Sequence, residues 1–190
     1  WALPGTLTVP KGKTGCPAVV LVHGSGPNDR DESVGGNKPF RDLALGLSSR
    51  GICVLRYEKR TKQHGQALVE KLGQALTLKE ETLEDAVLAV KLLRERPEID
   101  PKRIFVIGHS LGGTAIPRIA ALDADVRGFV IMAGASLSLE DAVLRQLQYI
   151  AKLDGNISDN EKKALDKLQA QVERVKTLKA GDDVPAADLP

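Results

Sequence analysis

The chain has only two cysteines, Cys16 and Cys53; that is too few for a disulfide framework, and their spacing matches no metal-ligand pattern. Both read as buried thiols. An excess of either charge is also missing: 27 Lys and Arg against 25 Asp and Glu leave a net charge of +2, so neither nucleic acid nor an acidic membrane surface is favoured as a partner. No apolar run approaches the roughly 18 residues of a membrane span, and no basic start leads into an apolar stretch as in a signal peptide. The first residue is Trp1 rather than Met. The native N-terminus is therefore taken to be absent, and the compartment stays open with the cytoplasm as the default. What is present is 190 residues at 42% hydrophobic content, enough for a globular core.

Along the chain, "GTLTVP" (5–10) alternates and stops at proline, the pattern of an edge strand. "PAVVLVHG" (17–24) is a continuous β-branched run, which predicts a strand buried on both faces. After a polar loop, "FRDLALGLSSRG" (40–51) sets Phe40, Leu43, Ala44 and Leu47 on one helical face and stops at Gly51, and "ICVLRY" (52–57) is the next strand. A polar stretch leads to "TLEDAVLAVKLLRERPEI" (82–99), which opens on Thr82 with Asp85 three residues on, a helix start. "RIFVIG" (103–108), "SLGGTAIPRIAAL" (110–122) and "VRGFVIMAG" (126–134) then read as strand, helix and strand. This alternation predicts an α/β fold, a mostly parallel sheet with helices on both faces, because parallel neighbours need helical crossovers.

The alternation stops near residue 136, which divides the chain into 1–136 and 137–190. The second part holds two amphipathic helices, 139–153 and 160–178, the latter with Leu165, Leu168, Val172 and Val175 at helical spacing, and a tail without structure signals.

The most informative stretch is Gly108-His109-Ser110-Leu111-Gly112, where a buried strand must turn sharply into a helix. Glycines two places before and after the serine let the backbone turn where a side chain would clash, and they expose the hydroxyl. The following helix aims its N-terminus at the same place, so the Leu111 amide can donate to a developing oxyanion. Gly-x-Ser-x-Gly would arise by chance in only about 0.07 of chains of this composition.

This strand, elbow and helix resemble the nucleophile elbow of the α/β-hydrolase fold. "VVLVHGSGPNDRDE" (19–32) is similar to that family's oxyanion strand and loop, and "VLRYEKRTKQHG" (54–65) to a strand-end motif of bacterial serine esterases and S9-peptidase-like hydrolases, with Glu58 in place of an aspartate. The resemblance implies a catalytic Ser110, an oxyanion hole from the backbone amides of Ser25 and Leu111, elbow glycines Gly108 and Gly112, and a helical cap in 137–190. No cofactor and no metal are expected, because no His, Cys or Asp cluster has ligand spacing. The partner is a small-molecule ester, cleaved through an acyl-enzyme. A peptidase or acyltransferase would share the same residues, and a non-catalytic scaffold subdomain is the alternative of another class.

What such a serine needs and does not find is a base. The family's chain order is Ser, then Asp or Glu, then His, and all three histidines, His23, His64 and His109, stand before Ser110. His109 is expected to face away from the reacting centre and pack, and His23 to shape the oxyanion loop. His64, expected in a loop at the catalytic end of the sheet, is the alternative base, since geometry rather than order defines a triad. Asp123, Asp125, Asp154 and Asp159 read as surface charges. The triad acid and base are therefore expected to be absent from this chain and to lie in a missing C-terminal segment of the same protein. Arg30 is expected in a solvated turn or against substrate, and Arg56, Lys59 and Arg60 to pair with the acids of loop 28–32. A homodimer is the rival use of the two C-terminal helices.

Overall fold

A computed structural model describes residues 1–73, 76–179 and 182. The chain divides into two compact units, Trp1–Gly134 and Ala135–Pro190.

The first unit is built on five strands in the order β1-β3-β2-β4-β5. β1 (Gly5–Thr8) is an edge strand antiparallel to β3 (Cys53–Tyr57); β2 (Cys16–Val22), β3, β4 (Ile99–His109) and β5 (Gly128–Met132) run parallel. β2 is central, and its residues from Ala18 to Val22 are all buried. Successive side chains there enter different clusters. Ala18, Val20 and Val22 pack with Leu55, Val106, Val90, Leu93, Ile116 and Ile119, whereas Val19 and Leu21 pack with Val54, Ile107, Phe40 and Ala44. Side chains that alternate across a pleat make this two cores, one per sheet face. α1 (Pro39–Ser48) covers one face, while α3 (Glu84–Arg94) and α4 (Leu111–Leu122) cover the other. The architecture is the expected α/β one, with a mostly parallel sheet.

Three local expectations are corrected. The polar stretch after β3 contains a helix, α2 (Arg60–Leu72), whose only buried apolar residue is Leu68; a helix with so few apolar residues reads as a polar stretch. Thr82 does not start the following helix. It is buried in a π-helical turn, Lys79–Leu83, which runs directly into α3, and the start lies upstream, where the Thr77 amide and hydroxyl both donate to Glu80. The third correction is His64, which sits inside α2 at a kink (φ −130°, ψ 21°) rather than in a loop.

In the second unit, α5 (Leu139–Ile150) and α6 (Asp159–Thr177) pack through Leu144, Leu168 and Val172. Ser158 caps α6: its hydroxyl accepts from the Glu161 amide at 3.3 Å, and its own amide donates to Glu161 Oε2 at 2.8 Å. Lys176 donates to Asp141 across the pair at 2.5 Å. Most of the tail after Lys179, read as unstructured, lies outside the described residues.

Gly65 follows the α2 kink, and a Cβ built there meets nothing within 4 Å. Gly65→Ala is expected to raise stability by about 0.5 to 1 kcal/mol by restricting the unfolded chain, read as a higher urea midpoint at unchanged m-value.

Candidate active site

Ser110 stands between the end of β4 and the first residue of α4, at φ 51° and ψ −114°. A non-glycine residue with positive φ is strained, and such strain persists only where surrounding contacts over-determine it. Those contacts are visible. The Ser110 amide donates to Met132 O on β5 at 2.9 Å, and its carbonyl accepts the first helical bond, from Thr114 N, at 2.9 Å.

The glycines make the turn possible. A Cβ on Gly108 would lie 2.3 Å from Gly112 O, and one on Gly112 would lie 2.4 Å from Val22 O and 2.6 Å from His23 O. Helix α4 thus leaves the sheet with its first turn pressed onto the ends of β4 and β2. Gly113 and Gly134 are also close-packed on the β5 side, where a Cβ on Gly134 would be 2.7 Å from Gly113 C.

The loop after β2 reaches the same place. A Cβ on Gly24 would lie 3.2 Å from Ser110 Cβ and 3.5 Å from His109 Nδ1. Gly24 is buried and Ser25, next in sequence, is exposed. The structure therefore brings the loop holding Ser25 to the elbow holding Ser110, Leu111, Gly108 and Gly112.

Buried charged groups hold this loop. Gly24 N donates to Glu32 Oε1 at 2.7 Å, and Lys59 Nζ donates to Gly24 O at 2.8 Å. Lys59 also pairs with Glu81 at 2.6 Å, and its amide donates to Asn28 O at 3.1 Å. Asn28 Nδ2 donates to Gly24 O and Ser25 O at 3.1 and 2.9 Å. Arg56 bonds Asp31, as the pairing with loop acids anticipated. Lys59 and Arg60 depart from it. Arg60 forks onto Asp85 of α3, with Nη2 at 2.5 Å and Nε at 3.0 Å. Arg30 sits in a turn, where it donates to Glu58 at 2.7 Å and to Thr6 at 2.9 Å.

The three histidines have separate surroundings. His23 is 1% exposed, its ring 5.2 Å from those of both Phe40 and Tyr57. Burial, reinforced by the Lys59 charge, lowers its pKa to about 4, so the ring is neutral near pH 7. His64 Nε2 lies 2.7 Å from Ala2 O and its ring centroid 5.1 Å from that of Trp1. His109 is not packed away in an apolar interior; its half-exposed ring places Nδ1 3.0 Å from Glu32 Oε2. Asp123 is also no free surface charge, since both its oxygens accept from Arg94 at 2.7 Å. Cys16 and Cys53 are buried thiols, and burial pushes Cys53 up to about 11. Among the described residues, no cluster of three or more His, Cys, Asp or Glu side chains could hold a metal ion.

Sequence reasoning missed Glu32 and the destination of Lys59. Both lie in stretches singled out for other reasons, "NDRDE" and "RYEKR", but their partners are backbone atoms of Gly24, and no sequence pattern encodes those.

The strained Ser110 turn between strand and helix, facing Gly24 at the strand ends of a mostly parallel sheet, sits in an α/β-hydrolase fold. The chain belongs to the alpha/beta hydrolase family, whose profile matches residues 19–185. It is 49% identical over 152 residues to esterase EstD of Thermotoga maritima, covering 80% of this chain and 35% of that protein. It is 30% identical over 127 residues to thiohydrolase apmlB of Arthrinium phaeospermum, covering 66% of this chain and 39% of that one. The chain thus spans little more than a third of the curated relatives it matches. Among solved structures, the α/β hydrolase GrgF from Penicillium sp. sh18 superposes with a TM-score of 0.55 at 21% identity, over 93% of this chain and 63% of that one. An esterase from Pyrococcus furiosus does so with a TM-score of 0.55 at 23% identity, over 80% and 58%.

Two outcomes are expected. Gly112→Ala forces a methyl group into the Val22 and His23 carbonyls and should cost about 3 kcal/mol, whereas Gly36→Ala, with nothing within 4 Å, should stay within about 0.5 kcal/mol; urea titration compares them. His23 titrates near 4 folded and near 6.5 unfolded, so the unfolded chain binds more protons in that window. Stability should therefore fall as pH drops from about 6.5 to 4, by up to about 3 kcal/mol, and His23→Phe should flatten that part of the profile.

Proposed function

We propose that the chain carries the nucleophile and oxyanion hole of a serine hydrolase that cleaves carboxylic esters through an acyl-enzyme. The observation that carries this reading is the strained Ser110 turn facing Gly24 at the N-terminus of α4. Ser110 Oγ attacks the substrate carbonyl as a base removes its proton. Negative charge develops on the carbonyl oxygen, where the Ser25 and Leu111 amides receive it. Leu111 opens the helix, so its N–H has no intrahelical partner and lies at the positive end of the helix dipole. Collapse of the tetrahedral adduct breaks the ester C–O bond, the alcohol leaves with a proton, and water then releases the acid from Ser110.

The base and its orienting carboxylate are proposed to come from sequence outside this chain. His23 is buried between the rings of Phe40 and Tyr57, His64 Nε2 lies against Ala2 O, and His109 faces Glu32. Residues 137–190 are proposed as the cap segment, whose exposed Leu139, Leu147 and Ile150 are the surface available to an acyl chain or a second copy. The esterase relative supports an oxygen ester as substrate class. The thiohydrolase relative favours a second reading, a thioester, with the same attack and a thiol as leaving group.

p-Nitrophenyl acetate hydrolysis tests the proposal in this chain and in the full-length protein carrying it. Ser110→Ala is expected to lower kcat of the full-length protein at least about 10³-fold. The 190-residue chain alone should be slower than the full-length protein, keeping only what an oxyanion hole and binding supply without a base. Equal rates for the two, lost on His64→Ala, would instead make His64 the base.

A further inference from the structure

The buried Lys59 ammonium ends on a backbone carbonyl, Gly24 O, and on the Glu81 carboxylate. We infer that Lys59 is a positioning residue for the oxyanion hole, orienting and polarising the peptide that carries the Ser25 amide. The inference rests on the proposed assignment of Ser110 as nucleophile and Ser25 N–H as oxyanion donor.

Lys59 Nζ donates to Gly24 O at 2.8 Å. That oxygen and the Ser25 N–H belong to the same peptide group. A trans peptide is planar, with its C=O and N–H pointing in opposite directions, so a donor fixed on the oxygen fixes where the N–H points. On its other side, Gly24 is held by its own amide, which donates to Glu32 Oε1 at 2.7 Å. Both peptide planes flanking Gly24 are therefore pinned by buried ionisable side chains, Lys59 being 2% and Glu32 4% exposed. Glycine has the widest backbone freedom of any residue, so without these bonds the plane could rotate. A cation on the carbonyl oxygen also draws electron density through the amide and makes the N–H a stronger donor, more so in a poorly solvated site.

The rest of the Lys59 surroundings fits this role. Its charge is balanced at 2.6 Å by Glu81, whose side chain is 22% exposed, and its own amide donates to Asn28 O, tying β3 to the loop. Asn28 Nδ2 is a second, neutral donor to Gly24 O, longer at 3.1 Å. A buried ion pair alone adds little net stability, because desolvation offsets attraction. Placing the ammonium on a backbone oxygen beside the elbow gives it a use that an apolar side chain could not supply.

The test is steady-state hydrolysis of p-nitrophenyl acetate by the full-length protein and its variants. Lys59→Met is expected to lower kcat by about 10- to 100-fold with KM changed less than about threefold, since the lost stabilisation exists only in the transition state. Phenylboronic acid, whose tetrahedral adduct places an oxygen at the oxyanion position, should lose affinity by a similar factor. Glu81→Gln removes the ion partner but keeps the Gly24 bond, and should lose far less kcat than Lys59→Met. The inference is overturned if Lys59→Met lowers thermal stability while the folded enzyme keeps its kcat and boronate affinity. It is equally overturned if KM alone changes, or if Glu81→Gln costs as much kcat as Lys59→Met, for then the ion pair itself matters. If Lys59→Met does not fold, Lys59→Arg keeps a cation for Glu81 but displaces the donor, and carries the same expectation. Ser110→Ala at the parental rate would overturn the nucleophile assignment, a failure separate from that of Lys59.

Discussion

Gly112 lies so close to the carbonyls of Val22 and His23 that no side chain fits between them, and Gly108 meets the backbone of Gly112 in the same way. This backbone-to-backbone contact sets where α4 begins. Because α4 begins there, its N-terminus lies at the carboxyl ends of β2 and β4, and the residue before it must turn through positive φ. The strain at Ser110 is the consequence of that contact, and the Met132 carbonyl and the helical bond from Thr114 hold the serine there. Ligand sites of open parallel sheets gather at strand carboxyl ends for the same reason: helix N-termini and loop amides converge on them.

A polar loop beside such a turn needs its own restraint, because it contributes almost nothing to either apolar cluster. Here the restraint is ionic and at least partly buried. Lys59 and Glu32 grip Gly24, Arg56 holds Asp31, and Arg30 holds Glu58, so loop 24–32 is tied to the end of β3 rather than packed on the core. Charged groups out of water are costly unless every lone pair and proton is met. A loop held this way is fixed by directional bonds to particular atoms rather than by apolar packing. His23 extends the point: burial, reinforced by the Lys59 charge, keeps it neutral near pH 7, and its ring packs between those of Phe40 and Tyr57.

Beyond Gly134 the alternation of strand and helix ends, and a second unit follows a different logic. α5 and α6 bury only Leu144, Leu168 and Val172 well, while Leu139, Leu147, Tyr149 and Ile150 stay exposed. β5 is likewise open at Val130 and Ile131, as expected for a sheet edge with no further strand beside it among the described residues.

By itself the sequence determined the elements with a strong period and the turn with a strong steric signature. β2, β3 and β4 are apolar runs that can only be interior strands, α1 and α3 show one apolar face, and Gly-His-Ser-Leu-Gly names its serine because only glycine tolerates the contacts around it. α2 escaped notice because it buries one apolar side chain, Leu68, and Thr82 misled because a capping residue type in sequence can be buried in a helical run instead. Only the tertiary structure decided where the charges go. Lys59, Glu32 and Arg60 find partners 35, 8 and 25 residues away, two of them backbone atoms of Gly24 and one the carboxylate of Asp85. Hydrophobic period is a local property written along the chain, whereas a hydrogen bond to a particular backbone atom depends on which strands become neighbours, and that is settled only when the sheet has formed.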